Sequence, residues 1–162
     1  MYKVVNLLNQ QQSYELKIII DTLLVKKKTL DENEDKLIHG TEYDLSSFSQ
    51  LDEIKRKVEN TCSELYNKPL HSKNFWVSIS IPNSIVVPHN HTSDDQEVLV
   101  SAVLYLQAEQ NSGKLLLEPF DVILSPCVGD LICFPGDCLH SVSLNNSSKD
   151  RICVAFDLKL NI

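Results

Sequence analysis

The sequence predicts a mainly β domain of the α+β class, a sandwich or jelly roll whose N-terminal helices buttress one face of a sheet. Three observations carry this. After Pro69 the pattern turns to β, with Phe75 to Val87 rich in Val and Ile, and Val98 to Gln107 and Arg151 to Leu160 alternating or apolar over strand lengths. Turn signals separate these runs at Asn111-Ser112-Gly113, at Gly129-Asp130 and across Asn145 to Asp150. No helical pattern lies among them, which argues against a parallel sheet with crossover helices.

Along the chain, Met1 to Asn9 holds one Lys and the apolar residues Val4, Val5, Leu7 and Leu8, without the long apolar core and small-residue cleavage site of a signal peptide. Tyr14 to Lys28 reads as a helix, although Ile18, Ile19 and Ile20 together suit a buried strand equally well. Leu30 to Glu42, with Asp31, Glu32, Glu34, Asp35 and Gly40, reads as a solvated acidic loop whose charge is not functional. From Ser49 to Asn67, Leu51, Ile54, Val58, Cys62 and Leu65 recur at intervals of three and four and place one apolar stripe on a structural helix. Ser49 with Asp52 is its expected cap, and Pro69 stops its continuation. The division is therefore one domain, with residues 1–70 as helical support and 71–162 as the jelly-roll core. No repeat, low-complexity tract or linker interrupts it.

Bulk properties narrow the function. A chain of 162 residues with 43% apolar and 23% charged residues is an ordinary globular composition able to bury a stable core. Its 15 Lys and Arg against 22 Asp and Glu give a net charge of -7, which repels a phosphate backbone or an anionic membrane surface and disfavours nucleic acid as partner. No segment approaches the roughly 20 apolar residues that cross a bilayer. Cys62, Cys127, Cys133, Cys138 and Cys153 are odd in number and without framework spacing, as expected of free thiols in the cytosol.

The chemistry-bearing residues come in a fixed order. His89 and His91 sit in Pro88-His89-Asn90-His91 after an apolar run, and in an extended segment residues two apart point to the same side, so both imidazoles can reach one ion. For this pair alone, a surface loop that holds two histidines is the competing reading. His140 follows the turn and strand of Gly129 to Phe134 and starts another short strand, Leu139 to Leu144, as a third ligand distant in sequence would. Arg151 opens the last strand, where Arg151, Cys153 and Ala155 share one face and Ile152, Val154, Phe156 and Leu158 the other. A buried unpaired guanidinium is costly, so Arg151 is either exposed or holds an anion such as a carboxylate, which its fork matches. His39 and His71, in polar surroundings, read as surface residues, and the single Trp76 as core.

With these residues in place, residues 71–162 resemble the double-stranded β-helix oxygenases that use Fe(II) and 2-oxoglutarate, especially their small bacterial and phage members. Those families carry an HxD or HxE motif, a strand ending in a pattern like Tyr-Leu-Asn, a Gly-x-Leu-x-x-Phe stretch, a distal His and a basic residue. The places are filled here by His89-Asn90-His91, by Val103-Leu104-Tyr105-Leu106-Gln107, by Gly129 to Phe134, by His140 and by Arg151. The resemblance implies a dioxygenase that hydroxylates a small-molecule or peptide substrate. It makes His89 and His140 iron ligands, Arg151 the partner of the distal carboxylate of 2-oxoglutarate, and Tyr105 a further contact of that co-substrate.

The departure is His91, a neutral nitrogen where the usual triad has a carboxylate. Some small family members carry His-x-His at this place, and its spacing favours His91 as third ligand, with Asp94 or Asp95 as the alternative. Two other functional readings remain: a three-histidine, cupin-like dioxygenase without 2-oxoglutarate, in which Arg151 binds the substrate itself, and a catalytically silent metal-binding jelly roll. A zinc set of Cys133, Cys138 and His140 is disfavoured because no CxxC pair occurs, and the thiols read as buried small hydrophobes. Asp137 reads as a turn residue.

Overall fold

The computed structural model describes residues 1–25, 40–92 and 98–161. The chain begins with a short strand, β1 (Lys3–Asn6), and helix α1 (Gln10–Leu24). Asn9 caps α1 reciprocally: its side chain accepts from the Gln12 amide at 2.8 Å, and the Gln12 side chain accepts from the Asn9 amide at 3.0 Å. Of the three isoleucines that left this segment ambiguous, Ile20 is buried while Ile18 and Ile19 face solvent, which is helical rather than strand periodicity.

Strand β2 (Thr41–Asp44) follows, so Thr41 and Glu42 belong to a sheet rather than to the expected acidic loop, whose residues 30–39 lie outside the described residues along with His39. A 3-10 turn at Ser49–Leu51 then leads into α2 (Asp52–Tyr66). The apolar stripe is as expected, with Leu51, Val58 and Cys62 buried and Ile54 and Leu65 packed against them. The Ser49 cap is absent, because the 3-10 turn moves the N-cap to Leu51, and Asp52 and Glu53 face the helix dipole instead. Asn67 ends α2 in the left-handed conformation, two residues before Pro69.

The rest is β: β3 (Leu70–Ser80), β4 (Val86–His89), β5 (Val100–Gln107), β6 (Leu115–Leu117), β7 (Val122–Leu124), β8 (Asp130–Pro135), β9 (His140–Val142) and β10 (Arg151–Leu160). The apolar run expected as one strand from Phe75 to Val87 is broken by a turn that includes Asn83 at φ 64°. Six strands pair antiparallel in the order β1-β8-β5-β10-β3-β2, and four in the order β4-β9-β6-β7. Two strands of the larger sheet thus come from the first 70 residues, which are not helical support alone.

Alternation along the strands divides the larger sheet into two faces. One face carries Val100, Ala102 and Leu104 of β5, Leu131 and Cys133 of β8, and Ile152, Val154, Phe156 and Leu158 of β10. It packs with Leu16 and Ile20 of α1 and Val58 and Cys62 of α2. The helices therefore buttress the sheet as expected. The other face packs Tyr105, Ile132, Phe134 and Cys153 against Leu115 and Leu117 of the smaller sheet. Two antiparallel sheets closed over this second core form the jelly roll. No described helix is long and apolar enough to cross a membrane.

Candidate metal centre

The space between the two sheets is a cavity of about 70 Å³ with three histidines on its wall. His89 ends β4 and is paired in register with His140, the first residue of β9, so two imidazoles face each other across one ladder. His91 follows two residues on, held by its backbone N–H donating to the Gly136 carbonyl at 3.0 Å. Gly136 is itself fixed by close approach, since a Cβ there would lie 2.4 Å from the Val98 carbonyl oxygen. One ring nitrogen from each of the three histidines lies within 4.8 Å of the other two, an arrangement that could hold a metal ion.

The tautomers follow from what the other nitrogens touch. His89 Nδ1 lies 2.9 Å from the Val87 carbonyl and His140 Nδ1 2.9 Å from the Cys138 carbonyl, and both oxygens can only accept. His91 Nδ1 lies 3.0 Å from Asp157 Oδ1. With the proton on Nδ1, each imidazole keeps Nε2 as its candidate ligand atom. His91 Nε2 and His140 Nε2 are 3.3 Å apart. Two nitrogens about 2.1 Å from one ion at right angles would be about 3.0 Å apart, so this separation suits a shared cation. Two lone pairs at that distance without one would repel. Burial, reinforced by the neighbouring His89 and His91 and opposed by the Cys138 carbonyl, pushes the His140 pKa down to about 3, so it stays neutral and able to ligate near neutral pH.

The anion side of the cavity is built on β10. Arg151, Cys153 and Ala155 line it together, as the alternation predicts. Arg151 is only 3% exposed and forms no ion pair among the described residues. Its Nη1 donates to the Ser112 carbonyl at 3.1 Å and its Nη2 to Ser80 Oγ at 2.8 Å, two neutral acceptors that aim the guanidinium and leave its charge uncompensated. Gly113 makes room for it: φ is +100°, and a Cβ there would sit 2.7 Å from Arg151 Nη1. Tyr105 is 2% exposed and lines the same cavity, and burial raises its pKa, so the phenol keeps its proton as a donor.

Several residues were not foreseen here. Trp76, expected in the core, instead lines the cavity, stacks on His91 with centroids 5.7 Å apart and donates from Nε1 to Glu42 at 3.1 Å. Glu42, expected in a solvated loop, lines the same cavity. Asp157 shares the Arg151 face of β10 by simple alternation, a signal readable in the sequence. Asp94 and Asp95 lie outside the described residues. His71, expected at the surface, is half-buried on β3 with a buried Nδ1 that has no hydrogen-bond partner among the described residues. Asp137 does lie in a turn.

All five cysteines are free. Cys133 Sγ lies 3.5 Å from Cys62 Sγ rather than beside His140, and the only metal-ligating group among the described residues is the three histidines. That hydrogen bond and burial raise the Cys133 pKa, and burial pushes Cys153 up to about 11, so both behave as neutral thiols.

Residues 117–157, which include His140, Arg151 and Asp157, match the family described as "Putative 2OG-Fe(II) oxygenase". No curated protein matches the sequence. Among solved structures, the chain is similar to the viral collagen prolyl hydroxylase of Paramecium Bursaria Chlorella virus-1 in its 2OG complex. The identity is 15% over 98% of this chain and 96% of that one, with a TM-score of 0.72. A Pseudomonas putida prolyl-4-hydroxylase is 15% identical over 99% and 92%, with a TM-score of 0.73. HygX from Streptomyces hygroscopicus, solved with nickel, 2-oxoglutarate and hygromycin B bound, is 14% identical over 99% and 83%, with a TM-score of 0.74. At these identities the likeness establishes the double-stranded β-helix fold.

Proposed function

We propose that this chain is an Fe(II)- and 2-oxoglutarate-dependent dioxygenase that hydroxylates a small-molecule or peptide substrate, with iron on His89, His91 and His140 and the co-substrate's distal carboxylate on Arg151. The observation that carries the reading is the coexistence, in one cavity, of three histidines with a ring nitrogen each within 4.8 Å of one another and a buried arginine without an acidic partner among the described residues. A dication and a dianion together balance what each group lacks. Iron with a 2-oxo acid supplies the oxidising power that inserts oxygen into a C–H bond.

The chain's own residues then bind, orient and exclude. Arg151 offers its planar fork to a carboxylate within the cavity, and Tyr105, on the same wall, offers its phenolic proton. Leu115, Val142 and Ala155 keep that wall apolar and limit water. Trp76 and Glu42 stand on the wall next to His91. A cytoplasmic location suits the five free thiols, and the net charge of -7 opposes a nucleic-acid substrate.

Three neutral imidazoles also favour the cupin-like reading, in which Arg151 binds the substrate itself and no 2-oxoglutarate is used. Anaerobic loading with Fe(II) followed by admission of O₂ separates the two. Succinate release from 2-oxoglutarate, lost in His140→Ala together with the bound metal, is the expected result. Replacing Arg151 by Lys keeps the charge but loses the fork, so 2-oxoglutarate affinity should fall by about 1.5 to 3 kcal/mol in calorimetry. Metal content unchanged in His140→Ala, or equal 2-oxoglutarate affinity in wild type and Arg151→Lys, would overturn the assignment.

A further inference from the structure

Asp157 is a carboxylate in the middle of a strand, 5% exposed, on the cavity face of β10. It accepts three hydrogen bonds. His91 Nδ1 and Ser101 Oγ reach Oδ1 at 3.0 and 3.2 Å, and Asn74 Nδ2 reaches Oδ2 at 3.1 Å. No lysine or arginine pairs with it among the described residues, so three neutral donors surround a buried negative charge. Such a charge is costly unless a cation lies close by. The one group of the metal centre that it touches is His91, the ligand that stands where a carboxylate is usual.

We propose that Asp157 is the positioning residue of this metal centre: through His91 Nδ1 it fixes the ligating Nε2 and supplies, one hydrogen bond behind the ligand, the negative charge that a carboxylate ligand would supply directly. The proposal rests on the three-histidine reading above. Ser101 and Asn74 aim the carboxylate, and Trp76 lies against the His91 ring with centroids 5.7 Å apart. A hydrogen-bonded carboxylate holds an imidazole in the metal-binding tautomer and makes it a better electron donor. The charge missing from the ligand set is thereby displaced outward rather than lost. The opening residue of β10, Arg151, serves the co-substrate, and Asp157, six residues on and on the same face, serves the metal.

The test uses Co(II) alone, titrated into the full chain and followed by calorimetry and by the visible ligand-field band. Asp157→Asn keeps an acceptor for His91 and Ser101 but removes the charge. Its Co(II) affinity should fall about 10- to 100-fold with a shifted band. In the His91→Asp background the charge sits on the ligand itself, so adding Asp157→Asn should cost nothing or strengthen binding by relieving like-charge repulsion. That non-additivity is what a merely structural role would not produce. Wild-type affinity and band in Asp157→Asn overturn the proposal while leaving the metal centre standing, and so does an equal loss in both backgrounds. Absence of Co(II) binding in wild type overturns the metal centre, and the proposal with it. The double variant His91→Asp/Asp157→Asn conserves the total charge, so it must bind Co(II) like wild type even if the single variant does not fold.

Discussion

Gly113→Ala separates the two halves of the site. At φ +100° an L side chain is strained, at a cost of about 1–3 kcal/mol of stability. The added Cβ would lie 2.5 Å from the Ser143 carbonyl oxygen and 2.7 Å from Arg151 Nη1, whereas ordinary contact begins at 3.4 Å. Relief requires the guanidinium to withdraw by about 0.7 Å (3.4 less 2.7), which also stretches its 3.1 Å bond to the Ser112 carbonyl. A fork displaced that far loses one of its two charged hydrogen bonds to a carboxylate, about 1.5 to 3 kcal/mol, or roughly 10- to 150-fold in 2-oxoglutarate affinity. The metal should be unaffected, because β4, β9 and the segment after β4 carry its ligands. The assay is calorimetric titration of 2-oxoglutarate into anaerobic Fe(II)-loaded protein, with metal content measured in parallel. Gly129→Ala is the control for stability alone: its Cβ would meet the Leu8 carbonyl oxygen at 1.9 Å, and Gly129 is not among the residues lining the cavity. Unchanged 2-oxoglutarate affinity in Gly113→Ala, or an equal fall in Gly129→Ala, would refute the reasoning.

Three further outcomes are expected. Tyr105→Phe should weaken 2-oxoglutarate binding by about 0.5 to 1.5 kcal/mol without lowering denaturation stability, since the phenol donates to no described protein group; unchanged binding would remove Tyr105 from the site. In metal-free protein the proton prefers unfolded His140 (6.5) over folded His140 (about 3), so stability is full above pH 6.5 and falls toward pH 3 by about 1.4 kcal/mol per pH unit. Urea unfolding at stepped pH should show this, and His140→Asn should flatten the profile; identical slopes would count against it. Phe156→Ala, at a fully buried ring stacked 4.7 Å from Phe75, should cost about 3 to 5 kcal/mol in the same assay, and a loss under about 1 kcal/mol would contradict the packing.

What was readable in the sequence depended on whether neighbouring residues alone imposed the structure. β10 matches its expected bounds because its apolar run is buried on both faces over the first eight residues, and its alternation also puts Arg151 in the cavity. The α2 stripe was readable for the same reason, although the 3-10 turn that displaced its cap was not. β1 and β2 escaped notice because each is four residues long and is defined by a distant partner, β8 or β3, rather than by its own pattern. Trp76 was misjudged on hydrophobicity, which does not register that the indole N–H finds Glu42 34 residues away. The three histidines were legible as a set through spacing and order. Asp157 was equally legible by its alternation with Arg151.

The order of strands in the larger sheet has a kinetic consequence. β10 lies between β5 and β3, so its neighbours precede it by dozens of residues, and no hairpin closes it. Zipping from one element to the next cannot build that centre, and it must wait for long loops to close, which is slow. Until β10 docks, the histidines have neither Asp157 behind them nor Arg151 across from them. The proposed centre is thus complete only once β10 docks, because that one strand brings both charged side chains to the three histidines.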